Sequence, residues 1–79
     1  MPKAAEKCSA TYVYPARRGA GVDVGFRLRT AGAMVTGETW ITEDGSHAVF
    51  PSRELSEGDL ALVAETCRRA VLRWQAVIR

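Results

Sequence analysis

Val22-Asp23-Val24-Gly25-Phe26-Arg27-Leu28-Arg29-Thr30-Ala31-Gly32-Ala33-Met34-Val35-Thr36-Gly37-Glu38-Thr39-Trp40-Ile41 is the stretch that decides the fold of this chain. Its first nine residues alternate. Val22, Val24, Phe26 and Leu28 fall on one face, and Asp23, Gly25, Arg27 and Arg29 on the other, the period of two of a half-buried strand. Ala31-Gly32 then supplies a two-residue turn, with Gly32 free to take positive φ. That turn sets Leu28 opposite Val35, Phe26 opposite Gly37, Val24 opposite Thr39 and Val22 opposite Ile41. The apolar faces coincide, and a slip of one residue would put them on opposite sides. Gly37 across from Phe26 leaves room for the ring to lie over the neighbouring strand.

Working outward, Asp44-Gly45 reads as a type I′ hairpin turn, whose two central residues both need positive φ. It pairs Ile41 with Ala48 and Thr39 with Phe50, which places Phe50 on the buried face and His47 and Val49 outside. Pro51 ends that strand. Ser56 is a good helix N-cap, with Asp59 three residues on as a weak capping box and Leu55 positioned to staple onto Leu60. Leu60, Val63, Ala64, Cys67, Val71, Trp74 and Ile78 recur at three- and four-residue steps, one apolar stripe of a helix over 56–78. Glu57 and Asp59 at its start and Arg68, Arg69, Arg73 and Arg79 towards its end suit the helix dipole. Upstream, Ala10 to Tyr14 favours a β edge strand ended by Pro15, followed by a basic loop, Arg17-Arg18-Gly19-Ala20-Gly21. The expected architecture is α+β: an antiparallel β-meander of three to four strands packed against one long C-terminal helix.

A chain of 79 residues, 47% hydrophobic and 25% charged, supports one globular domain. Residues 1–9 read as a flexible segment and 10–79 as the domain. No signal peptide and no ~20-residue apolar span is seen, so a cytosolic location without membrane contact is expected. Cys8 and Cys67 then read as free thiols, with a disulfide between them as the alternative. The net charge of +2 conceals segregation. Basic residues dominate 1–30, acidic ones 31–66, and the C-terminal residues add arginines. Such blocks either neutralise one another in the fold or form patches that steer a partner.

Nothing in the chain assembles a reaction centre. One histidine and two cysteines, widely separated, cannot supply a metal site, and Gly19-Ala20-Gly21 lacks the context of a dinucleotide motif. No enzyme, metal or cofactor is expected. Cys67 lies on the buried helix stripe, with His47 expected on the far side of the sheet.

The outward face is more informative. Met34, Thr36, Glu38, Trp40, His47 and Val49 are expected there with Arg27 and Arg29, and the first strand has two phases. In one, Val13 points inward, and Tyr12 and Tyr14 join Trp40 and the arginines in an aromatic platform of the kind that stacks single-stranded bases. In the other, both tyrosines belong to the core and Trp40 packs on Val49 and the arginine stems. Two binding sets follow. Glu38, Trp40, Glu43 and Asp44 form an acidic, partly aromatic surface for a protein partner. Arg17, Arg18, Arg27 and Arg29 form the alternative, a direct nucleic-acid contact. Leu62, Leu72 and Ala76 on the helix flank, with Trp40, leave either a monomer or a homodimer open.

The meander with its terminal helix superficially resembles the double-stranded-RNA-binding domain, although Glu54, Glu57 and Asp59 stand where that family places helix lysines. Gly45 to Pro51 looks a little like the strand of HicB-type antitoxins. The profile of the whole chain, short, with one compact α/β layer pair, segregated charge and no catalytic groups, resembles phage-encoded anti-CRISPR proteins. Its Ala, Arg and Gly usage suits a phage or mobile element of a GC-rich bacterium. That resemblance implies a small inhibitor in the bacterial cytosol that binds a CRISPR effector protein and keeps target DNA from being recruited or cut.

Overall fold

The computed structural model describes residues 7–17 and 19–78, the last by its backbone alone. The alternating stretches become four strands, β1 (Cys8–Pro15), β2 (Val22–Arg29), β3 (Met34–Ile41) and β4 (His47–Pro51), followed by α1 (Glu57–Ile78). They pair in chain order as one antiparallel sheet, β1-β2-β3-β4, and α1 lies across one face. The expected α+β meander under a C-terminal helix is the fold.

The β2–β3 register is the one its apolar alternation demands: Val22 faces Ile41, Val24 faces Thr39, Phe26 faces Gly37 and Leu28 faces Val35. A Cβ on Gly37 would come within 3.0 Å of Phe26 Cζ and 2.3 Å of the Phe50 carbonyl, so a side chain there has no space. The turn is short, with the Thr30 amide donating to the Ala33 carbonyl at 2.8 Å. Gly32 makes it without positive φ, which among the glycines belongs to Gly19, Gly21 and Gly45.

The β3–β4 pairing departs from expectation by one residue. Ile41 faces His47, Trp40 faces Ala48, Thr39 faces Val49 and Glu38 faces Phe50. Only Gly45 takes positive φ, at 91°, and Asp44 does not. The Asp44 carboxylate instead accepts hydrogen bonds from the Thr42 hydroxyl and the Ser46 amide, while the Gly45 amide donates to the Thr42 carbonyl. A three-residue loop with its last residue left-handed replaces the two-residue mirror turn. The odd residue turns β4 over. Val49 therefore packs against the core and His47 shares the helix side, where Arg68 Nη2 lies 3.1 Å from His47 Nδ1. Phe50 lies outside, 45% exposed.

β1 also begins earlier than expected. Cys8 and Ser9, assigned above to a flexible segment, pair with Leu28 and Arg27; residues 1–6 of that segment lie outside the described residues. A β-bulge at Thr11 joins the two phases of the strand. Before it Cys8 and Ala10 face the core, after it Val13 does, and Tyr12 and Tyr14 lie on the outer face.

Ser56 caps α1 as expected, its Oγ accepting from the Asp59 amide at 3.2 Å. The Asp59 carboxylate accepts from Lys7 Nζ at 3.0 Å, tying the helix start to β1. Val63, Ala64, Cys67 and Val71 are buried along the expected stripe, with Ala70 added, and Leu60 and Trp74 are half-buried. The last turn carries no basic residue. Arg68, Arg69 and Arg73 sit upstream, where the dipole has little effect on them, and Arg79 lies outside the described residues. Cys8 and Cys67 are buried free thiols in the same core cluster.

Candidate interaction surface

The outer face of the sheet is best read in rows across the strands. Tyr14, Asp23, Trp40 and Ala48 form one; Tyr12, Gly25, Glu38 and Phe50 the next; Ser9, Arg27 and Thr36 a third; Arg29 and Met34 a fourth. The β1–β2 loop and the Tyr12 ring seal Asp23, Gly25, Glu38 and Trp40 in the first two rows, while Tyr14 and Phe50 stay exposed and the last two rows are open.

The sealing begins with Gly25. A Cβ there would lie 2.2 Å from Tyr12 Cε2, so the tyrosine ring lies directly over the glycine, an aromatic side chain filling the gap a bare strand position leaves. Tyr14 lies against it, ring centroids 5.3 Å apart. The Tyr12 hydroxyl donates to the Glu38 carboxylate. That bond, with smaller contributions from burial and the Glu38 charge, pushes the Tyr12 phenol up from 10.0 to about 12. Arg17 Nη2 meets both Glu38 oxygens, at 3.0 and 2.8 Å. Its Nε lies 3.6 Å from Asp23 Oδ2, and its backbone amide donates to the same oxygen at 3.3 Å. Asp23 is thereby only 2% exposed although it points away from the helix. A buried carboxylate without such partners would be costly. Finally, Trp40 Nε1 donates to the Ala20 carbonyl at 2.9 Å, pinning the loop over the sheet.

Both proposed binding sets are therefore divided. Glu38 and Trp40 are half-buried and hold the β1–β2 loop, whereas Glu43 and Asp44 are exposed in the β3–β4 turn. Hydrogen bonds from Thr42 and from the Ser46 amide hold the Asp44 carboxyl below the usual carboxylate range. In the second set, Arg17 is engaged by Glu38 and Asp23, Arg18 lies outside the described residues, and Arg27 and Arg29 stand exposed in adjacent open rows. Met34, Thr36 and Phe50 complete that open area. The Tyr12–Glu38–Arg17–Asp23 network escapes a reading of the chain because it depends on the bulge at Thr11, which leaves no periodic signal.

Burial pushes the Cys67 thiol up, with Cys8 adding to the rise and the Thr39 hydroxyl opposing it, so the thiol form dominates at neutral pH. The Thr39 hydroxyl is fully buried and lacks a hydrogen bond of ordinary geometry. Among the described residues no three His, Cys, Asp or Glu side chains converge as metal ligands, and no helix is long and apolar enough to cross a membrane. No protein-family model, curated protein or solved structure matches this chain.

Proposed function

We propose that this chain is a small, non-enzymatic protein-binding inhibitor, encoded by a phage or mobile element, that acts in the bacterial cytosol on a nucleic-acid-handling complex such as a CRISPR effector. The observation that carries the reading is the acidic β3–β4 turn. Glu43 and Asp44 project at one end of the sheet on a backbone held by the Thr42, Asp44 and Ser46 hydrogen bonds. An exposed pair of carboxylates on a turn whose backbone and Asp44 side chain are already fixed loses less entropy on binding and is suited to a basic groove made for nucleic acid. Glu38 and Trp40 serve the same surface from behind, by fixing the loop beside it.

The test is interference in cells. Expression of the chain should restore plaquing of a phage targeted by an active CRISPR system. Glu43→Lys combined with Asp44→Asn should abolish that rescue while the fold is kept, because Asn retains the acceptor that Thr42 and Ser46 use. Absence of rescue across effector types would count against the inhibitor reading. The exposed Arg27 and Arg29 support a second reading, direct nucleic-acid binding. It predicts a salt-sensitive oligonucleotide shift that Arg27→Glu weakens; no shift at low salt would end it.

A further inference from the structure

At the β1 edge of the sheet, the outer strand and the helix leave a groove between them. Lys7 to Ala10 of the β1 edge form one wall, and Leu62, Thr66, Arg69 and Arg73 form the other. The four helix positions are spaced four, three and four residues apart and so share one face of α1. The groove holds about 380 Å³. It is not part of the acidic turn or of the sealed rows, and neither binding set named above includes a residue from it.

Three features say what fits it. The first is charge. Lys7, Arg69 and Arg73 all border the groove. Lys7 is paired with Asp59 at 3.0 Å and Arg69 with Glu65 at 3.1 Å, the latter an exposed helix pair of the kind worth little. Arg73 has no partner among the described residues. The second is length. Leu62 to Arg73 spans about 17 Å of helix, the reach of about five residues of extended chain. The third is the wall itself. β1 is an outer strand of the sheet, and its ladder alternation turns the backbone N–H and C=O of Ala10 away from β2. Strand addition beside a helix uses such an edge.

We infer that the β1–α1 groove is a docking site for an acidic polypeptide segment in extended conformation. An apolar side chain of the segment meets Leu62, and carboxylates at alternate positions meet Arg69 and Arg73. A polypeptide fits better than a nucleic acid, because Asp59 and Glu65 beside the groove repel a continuous polyphosphate, whereas a segment with separate carboxylates avoids them. This inference does not depend on the inhibitor reading and stands or falls separately.

The experiment uses a fluorescein-labelled peptide, Ser-Leu-Ser-Glu-Val-Glu-Ser, followed by anisotropy at low salt, with amide chemical shifts as a second readout. Binding is expected, with shifts gathered in 8–10 and 62–73. Arg73→Glu should weaken it about tenfold or more, and Arg27→Glu, on the other face, should not. Both arginines are exposed, so the variants keep the fold, which the amide spectrum verifies. A peptide with lysine for glutamate should not bind. Three results would overturn the inference: no binding of the acidic peptide, equal binding of the lysine peptide, or a dT oligonucleotide that binds more tightly and loses its affinity with Arg73→Glu.

Discussion

A single hydrogen bond on the outer face gives the sharpest test of the sealed rows. Tyr12 donates to Glu38, and that bond pushes its phenol up to about 12. Ultraviolet titration should therefore show the Tyr12 phenolate forming only near pH 12, and Glu38→Gln should bring it down towards 10. The sign for stability follows. A phenol whose folded pKa lies above its unfolded 10.0 favours folding fully below pH 10, and that contribution is lost as pH rises through about 12. Tyr12 is 38% exposed, so solvent screens the effect and the loss is small. A Tyr12 phenol that titrates near 10 in the intact protein, identified by its loss in Tyr12→Phe, would mean that the Tyr12–Glu38 bond does not form. At this scale the chain was partly legible. Gly37 opposite Phe26 could be read from alternation alone, because both lie in regular strand. Tyr12 over Gly25 could not, because an extra residue at Thr11 resets the period between Ala10 and Tyr12. The same bulge decides between the two phases of the first strand, and it places the tyrosines outside.

Turns divide the elements into those whose register follows from sequence and those whose register does not. Four apolar positions of β2 must coincide with Val35, Gly37 and Ile41 of β3 and with the buried Thr39, so one register satisfies them all. In β4 only Ala48, Val49 and Phe50 speak, and either phase buries one large side chain. The loop then decides, and an Asp-Gly pair is compatible with both a two-residue and a three-residue loop. Asp44 selects the longer one by keeping negative φ and using its carboxylate on Thr42 and Ser46. Two glycines separate the costs of backbone strain and of crowding. At Gly45, φ is 91° and a methyl group would project into open space, whereas at Gly21 φ is 98° and a Cβ would fall 2.3 Å from the Ile41 carbonyl. Gly45→Ala should cost about 1 kcal/mol, the strain of the left-handed region alone. Gly21→Ala adds a clash with backbone and should cost roughly 3 kcal/mol or more. Urea midpoints of the two variants check the order, and equal losses would mean that the β1–β2 loop yields to the methyl.

At the scale of the whole molecule, one sheet and one helix make a body 17 Å through its thinnest axis, with a single layer of core between them. Among the described residues the largest fully buried side chains there are Phe26, Leu28, Val24, Val35, Val63, Thr39 and Cys67. A domain of this length has a total stability on the order of 4–12 kcal/mol, so one large cavity is a large fraction of it. Phe26→Ala removes the ring that lies across Gly37 and should cost about 3–5 kcal/mol, enough to leave much of the protein unfolded at 37 °C. Phe50→Ala offers the contrast, because the two phases of β4 give it opposite roles. With Phe50 beside Glu38 on the outer face, the loss should be about 1 kcal/mol or less. With Phe50 opposite Thr39 beneath α1, it would match that of Phe26. Denaturant unfolding of the two variants side by side therefore reads the strand's orientation from stability alone. A Phe50 variant as damaged as the Phe26 one would restore the two-residue turn, return His47 to the outer face, and remove the rigid acidic loop on which the inhibitor reading rests.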